Sequence, residues 1–204
     1  MRIGALLLLA TAAFVLIAAL YTYKILASPP PPKPASGAIP IPSWAISVGS
    51  PEAPVVLVEL FDLHCPYCAE AHEVLDPLYR RLLAEGRLRI VFVDFIVHPD
   101  AVLAHRYLHC AYQQLGNKTY DLITDLYKAY IDGGPDKQLQ LLTRYQCPNA
   151  PTQKDFDAVA KAMAKALAQM GITQLGTPTF IVIRNGTVNV VVGKYPDKVA
   201  ALIS

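Results

Sequence analysis

Two short apolar runs rich in β-branched residues, Val55–Phe61 and Leu88–Phe95, bracket a helical pattern over Pro66–Leu83 that stops before Gly86. Runs of this kind predict buried strands, and strand–helix–strand is the building unit of a parallel sheet. The joint between the first strand and the helix carries Cys65-Pro66-Tyr67-Cys68. Pro66 suits a first helical turn because its missing N–H is not needed there. Two thiols at this spacing can alternate between dithiol and disulfide. A helix N-terminus, with partial positive charge and free N–H groups, favours thiolate over thiol, and the thiolate is the species that attacks disulfides. The expected chemistry is thiol–disulfide exchange, with Cys65 as the exposed, reactive sulfur and Cys68 as its partner.

Beyond the second strand the pattern turns helical over Ala101–Leu115, Thr119–Ile131, Asp136–Gln146 and Thr152–Met170. The breaks fall at Gly116, Gly133-Gly134, Cys147-Pro148 and Gly171, and Thr152 with Asp155 forms an N-capping arrangement. Strands return at Thr179–Arg184 and Thr187–Val192, flanking the hairpin signal Asn185-Gly186. Pro196–Ile203 reads as a short closing helix. The expectation is an α/β core interrupted by a helical insertion over about residues 98–170.

Ile3 to Tyr23 contains no charged residue. As a helix this run would be about 31 Å long, close to the hydrocarbon thickness of a bilayer. A transmembrane anchor over residues 1–27 is therefore expected, with a cleaved signal peptide as the alternative. Seven prolines between Ser28 and Pro42 predict an extended spacer over 28–40, which holds a domain spanning 41–204 off the bilayer. Flanking charge barely orients the anchor, since Arg2 stands against Lys24 and Lys33. The cysteines favour an oxidising compartment, so the domain is placed outside the cytoplasm, on a single-pass protein of the cell membrane. If Cys65 and Cys68 form one pair, Cys110 and Cys147 are left as a second, structural one; the alternative is two unpaired thiols. The net charge of +2 is spread without a basic stripe, which argues against nucleic acid as a partner.

Gly176-Thr177-Pro178-Thr179 precedes the first hairpin strand, where a proline is tolerated. Combined with Phe61-Asp62-Leu63-His64-Cys65-Pro66-Tyr67-Cys68, Phe180 and the helical insertion, it makes residues 41–204 resemble the thioredoxin superfamily. Within it, the DsbA-like oxidoreductases are the closest branch. The resemblance implies a thioredoxin fold: an α/β domain with a central mixed sheet flanked by helices, an inserted all-helical subdomain, and one transmembrane helix before it. It implies a cis Thr177–Pro178 bond facing Cys65, with the Thr177 backbone free to pair with an extended substrate. It also implies an acidic role for Glu59, a partly buried carboxylate able to relay protons to Cys68; a carboxylate at a solvated strand end is the alternative. The implied activity is disulfide formation in unfolded or reduced exported proteins, with re-oxidation by a quinone-linked membrane protein of the DsbB or VKOR type and no cofactor. Two departures bear on redox strength. The dipeptide is Pro66-Tyr67 rather than Pro-His, and Thr177 stands where the best-known oxidases carry Val. His64 could partly replace the missing imidazole, or be an exposed rim histidine.

Other readings of the same residues are open. A disulfide reductase or isomerase, including one serving cytochrome c maturation, would use the same dithiol; a non-catalytic chaperone or metal carrier would not need it. His72, four residues after Cys68, reads as a helix-surface histidine more readily than as a tuning group. His105 and His109 have the i, i+4 spacing of a helical metal pair, but no acidic base lies between them, so a core or surface role is preferred. No metal site is expected.

Overall fold

The computed structural model describes residues 39–204. The expected anchor over 1–27 and nearly all of the spacer lie outside the described residues. Among the described residues no helix is long and apolar enough to cross a membrane.

The elements are β1 (Ile46–Gly49), β2 (Val55–Phe61), α1 (Pro66–Ala84), β3 (Leu88–Asp94), α2 (Val102–Leu115), α3 (Thr119–Leu142), α4 (Gln153–Gln169), β4 (Thr179–Arg184), β5 (Thr187–Val192) and α5 (Pro196–Ile203). The strands form one five-stranded sheet in the order β1-β3-β2-β4-β5. β2 and β3 are parallel, joined by α1, and the other three pairings are antiparallel. β2 is thus central, and Glu59 pairs in register with Phe92 on one side and Phe180 on the other.

Side chains alternate across a strand, so β2 feeds two cores. Val58 and Leu60 pack with Val91, Val93 and Ile181 beneath Met163 and Leu167 of α4. Leu57 and Phe61 pack on the opposite face with Phe92, with Tyr79 and Leu82 of α1, and with Ile123, Leu126 and Tyr127 of α3. The same alternation turns Glu59 onto this second face.

The structure departs from the sequence expectation in two places and bears it out at the hairpin turn. β1 was not anticipated; its four residues are too few to show a period, although Ile46 and Val48 are buried in alternation. The two helices expected over 119–131 and 136–146 are one α3 with an internal break, where Gly134 takes φ 71° and ψ −165°, a conformation open to glycine, and α3 ends at Leu142. At the β4–β5 turn, Asn185 and Gly186 both take positive φ, 51° and 72°, matching the right-handed twist of a two-residue hairpin.

Candidate functional site: the Cys65–Cys68 dithiol

Cys65 caps α1 in an extended conformation, with Pro66 in the first turn. Both cysteines are free thiols. The Cys68 N–H donates to Cys65 Sγ at 3.4 Å, and the Thr177 carbonyl lies 3.3 Å from the same sulfur. Hydrogen bonding to Cys68 is the largest influence on Cys65 and lowers its pKa; burial opposes it, and the Thr177 side chain and the N–H groups of Cys68 and Tyr67 assist, leaving Cys65 at about 6. Cys68 moves the other way. Burial, then its hydrogen bond to Cys65, then the charges of Cys65 and Glu59, push it well above the ordinary thiol value. One sulfur is therefore poised as thiolate at neutral pH while the other holds its proton. Cys65 is only 3% exposed, which corrects the expectation of an exposed sulfur; the motif's exposed residue is Tyr67, at 57%. Lys194 lies over the Tyr67 ring, 5.3 Å from its centroid, and pairs with Glu70.

The Thr177–Pro178 peptide is cis. The Pro178 carbonyl accepts from Gly193 N–H at 2.8 Å, and the Thr177 hydroxyl has no hydrogen-bond partner among the described residues.

Glu59 is buried, not partly so, and neither carboxylate oxygen has a hydrogen-bond partner among the described residues. Burial first, and the Cys65 charge second, raise its pKa to about 8, so it is largely a neutral acid at pH 7. Tyr79 and Tyr127, whose hydroxyls are also unpartnered, both feel its charge.

His64 is buried, which corrects the rim reading. Its Nδ1 lies 2.9 Å from Asp100 Oδ2, and its ring stacks on Tyr130. His72 is likewise buried beneath α3 rather than on a helix surface. Its Nε2 meets Thr124 Oγ1 at 2.9 Å, and burial lowers its pKa to about 4. Cys110 and Cys147 are joined by a disulfide whose Cα atoms are 5.5 Å apart. Among the described residues no cluster has the makings of a metal site.

Sequence reasoning did not single out Asp62 or Asp94, and it did not see what His105 and His109 do. Asp62 accepts from His64 N–H, Val97 N–H, His98 N–H and His98 Nδ1, all within 2.8–2.9 Å. Asp94 accepts from His105 Nδ1 at 2.6 Å and His109 Nε2 at 2.9 Å. Burial opposes charge on both acids, but His105 first and then the His64 N–H and His98 on Asp62, and His109 first and then His105 on Asp94, outweigh it and hold both well below the usual carboxylate range. For His105, burial is opposed by Asp62 and Asp94, a balance that puts its pKa at about 8. The geometry argues otherwise. Its Nε2 accepts the Leu63 N–H at 3.0 Å, which needs a free lone pair, and Asp62 Oδ1 is 3.8 Å away, too far to bond that nitrogen. The Leu63 bond makes the ring neutral, with its proton on Nδ1.

Residues 44–197 match the family model described as Thioredoxin. The chain belongs to the thioredoxin family. Among solved structures, a periplasmic thioredoxin-like protein from Salmonella enterica serovar Typhimurium aligns with TM-score 0.57 and 17% identity over 81% of this chain and 91% of that one. Oxidised BdbD from Bacillus subtilis aligns with TM-score 0.58 and 17% identity, covering 83% and 96% respectively. Pseudomonas aeruginosa DsbA2 gives TM-score 0.51 and 20% identity over 80% and 94%. At these identities the likeness establishes a shared thioredoxin-like fold. No curated protein sequence matches the chain.

Proposed function

We propose that this thioredoxin-family chain is a thiol:disulfide oxidoreductase that introduces disulfides into unfolded, exported proteins through Cys65 and Cys68. The observation that carries the reading is the split within one dithiol: a Cys65 thiolate favoured above about pH 6 and a buried Cys68 held protonated by burial and by the charges of Cys65 and Glu59.

In the oxidised enzyme a substrate thiolate attacks Cys65 Sγ. The Cys65–Cys68 bond breaks and a mixed disulfide forms, while Cys68 leaves as a thiolate and takes a proton from Glu59. A second substrate thiolate then attacks the substrate sulfur of that mixed disulfide and expels Cys65. Two electrons pass from the substrate dithiol to the enzyme dithiol. A well-stabilised Cys65 thiolate is a good leaving group here, and its stability makes the enzyme the oxidant. An extended substrate would lie along the Thr177 backbone as an added strand. The exposed Tyr67, Val97, Leu103 and Tyr195 offer apolar contacts of the kind an unfolded chain provides. Re-oxidation falls to a quinone-linked membrane protein. The uncharged run Ile3–Tyr23 supports a single-pass anchor, and the Cys110–Cys147 disulfide supports a domain outside the cytoplasm.

Titration against glutathione tests the direction of electron flow. A Cys65 pKa of about 6 lies between about 7 for thioredoxin and about 3.5 for DsbA, so the potential should fall between about −270 and −120 mV. A value at or below the thioredoxin figure would overturn the oxidase reading in favour of a reductase, which the closeness of 6 to 7 makes the second reading. Cys65→Ser should abolish oxidation of a reduced, unfolded substrate. For location, an impermeant thiol reagent should reach the site in intact cells; protection until lysis would refute it.

A further inference from the structure

The Leu63 peptide, two residues before Cys65, is gripped from both sides by the helical insertion. Its N–H donates to His105 Nε2 on α2 at 3.0 Å, and its carbonyl accepts from Gln138 Nε2 on α3 at 3.0 Å. Both side chains are fully buried. Leu63 lies past the last β2 pairing, so neither group has a ladder partner. Each gripping side chain is itself fixed. His105 Nδ1 donates to Asp94, which also accepts from His109, and Gln138 Nε2 also donates to the Leu126 carbonyl across the break in α3.

The turn held in this way leads directly into the site. Cys65 N–H donates to the Asp62 carbonyl at 3.1 Å, and His64 N–H to the Asp62 carboxylate at 2.9 Å. The same turn runs on into the first turn of α1, where the Cys68 N–H donates to the Cys65 carbonyl at 3.1 Å and to Cys65 Sγ at 3.4 Å. We propose that His105 and Gln138 are positioning residues for the Cys65 thiolate, so that the insertion, through the Leu63 peptide, sets how strongly the first turn of α1 stabilises that thiolate. This rests on the dithiol reading above and deepens it. A purely structural role is the competing account: the two side chains would satisfy buried backbone groups and nothing more.

The test uses the whole protein and compares wild type with His105→Leu, His105→Gln and Gln138→Met. The leucine and methionine variants each remove one half of the grip; the glutamine variant keeps an acceptor for Leu63 N–H. Three quantities are read: the Cys65 titration midpoint from thiolate absorbance, the equilibrium constant with glutathione, and the denaturation midpoint. His105→Leu and Gln138→Met should each raise the Cys65 midpoint by about one pH unit, a roughly tenfold loss of thiolate below it, and shift the glutathione equilibrium about tenfold towards the enzyme disulfide. His105→Gln should recover most of both shifts. Variants that lose stability while keeping the wild-type Cys65 midpoint and glutathione constant would overturn the proposal. If His105→Leu does not fold, Gln138→Met and His105→Gln still decide it. A wild-type protein that does not exchange with glutathione at all would defeat the oxidoreductase reading instead, and the two failures are distinct.

Discussion

Replacing Glu59 by Gln should stabilise the protein increasingly as pH rises. Glu59 has its pKa raised from an ordinary 4.5 to about 8, chiefly by burial. Between those values the native state binds more protons than the unfolded state, so stability falls with rising pH. The penalty is absent below the unfolded value and complete above the folded one, where it reaches about 5 kcal/mol, on the order of 1.4 kcal/mol per unit. Between pH 5 and pH 8.5 the loss is about 4 kcal/mol. Gln leaves a similar buried polar group, but that cost does not vary with pH and cancels from the difference. The clean assay is urea unfolding of Glu59→Gln against Glu59, both in a Cys65→Ser, Cys68→Ser background, so that no reductant is needed and the Cys110–Cys147 bond survives. That background removes the smaller cause, the Cys65 charge, and keeps burial. The stability advantage of Gln should therefore still grow by at least about 2 kcal/mol from pH 5 to pH 8.5. An advantage that is flat with pH would mean that Glu59 is ionised in the native state, and the proton-donor role would fall with it.

Thr177→Val removes a side chain that helps hold the Cys65 pKa down, so the Cys65 midpoint should rise from about 6, read by thiolate absorbance; an unchanged midpoint would refute the assignment. Replacing Cys110 and Cys147 by Ala opens a loop of sequence separation 37 and should lower unfolding stability by about 4 kcal/mol on the chain-entropy account, read by urea denaturation. Asp62 and Asp94 have depressed pKa values, so the stability they contribute is complete above the unfolded value of 3.8 and is lost as pH falls below it. Asp94→Asn should therefore flatten the acid limb of a stability–pH curve, and an unchanged limb would refute the assignment.

The strands and cysteines were legible because each rests on local signals. β2, β4 and β5 begin and end where composition places them, and the dithiol sits at a strand-to-helix joint that four adjacent residues define. What was hidden depends on partners far along the chain. His72 reads as a surface residue on its own helix, and only α3, through Thr124 fifty-two positions on, buries it. Leu63 meets His105 across 42 positions and Gln138 across 75, and no period or motif carries such pairings. The i, i+4 histidines were visible, but a shared buried carboxylate from β3 gives the same spacing as a metal would. Asp62 had a local clue, an acid three residues before the cysteine, where a side chain can fold back on the turn's N–H groups.

Three buried carboxylates invite the same role, and their partners separate them. Burial disfavours charge on Asp62, Asp94 and Glu59 alike. Asp62 answers with three backbone N–H groups and an imidazole, and Asp94 with two imidazoles, so both stay ionised across the range in which a thiol titrates. Among the described residues Glu59 has no donor, and it stays protonated up to about 8. A group exchanges protons with Cys68 only if both of its forms are accessible near the working pH. By that criterion Asp62, although nearer in sequence to the cysteines, is scaffold, and Glu59 is the carboxylate that fits the proposed proton-donor role. The same hydrogen bonds that disqualify Asp62 from acid–base work make it the anchor of the turn on which Cys65 is set.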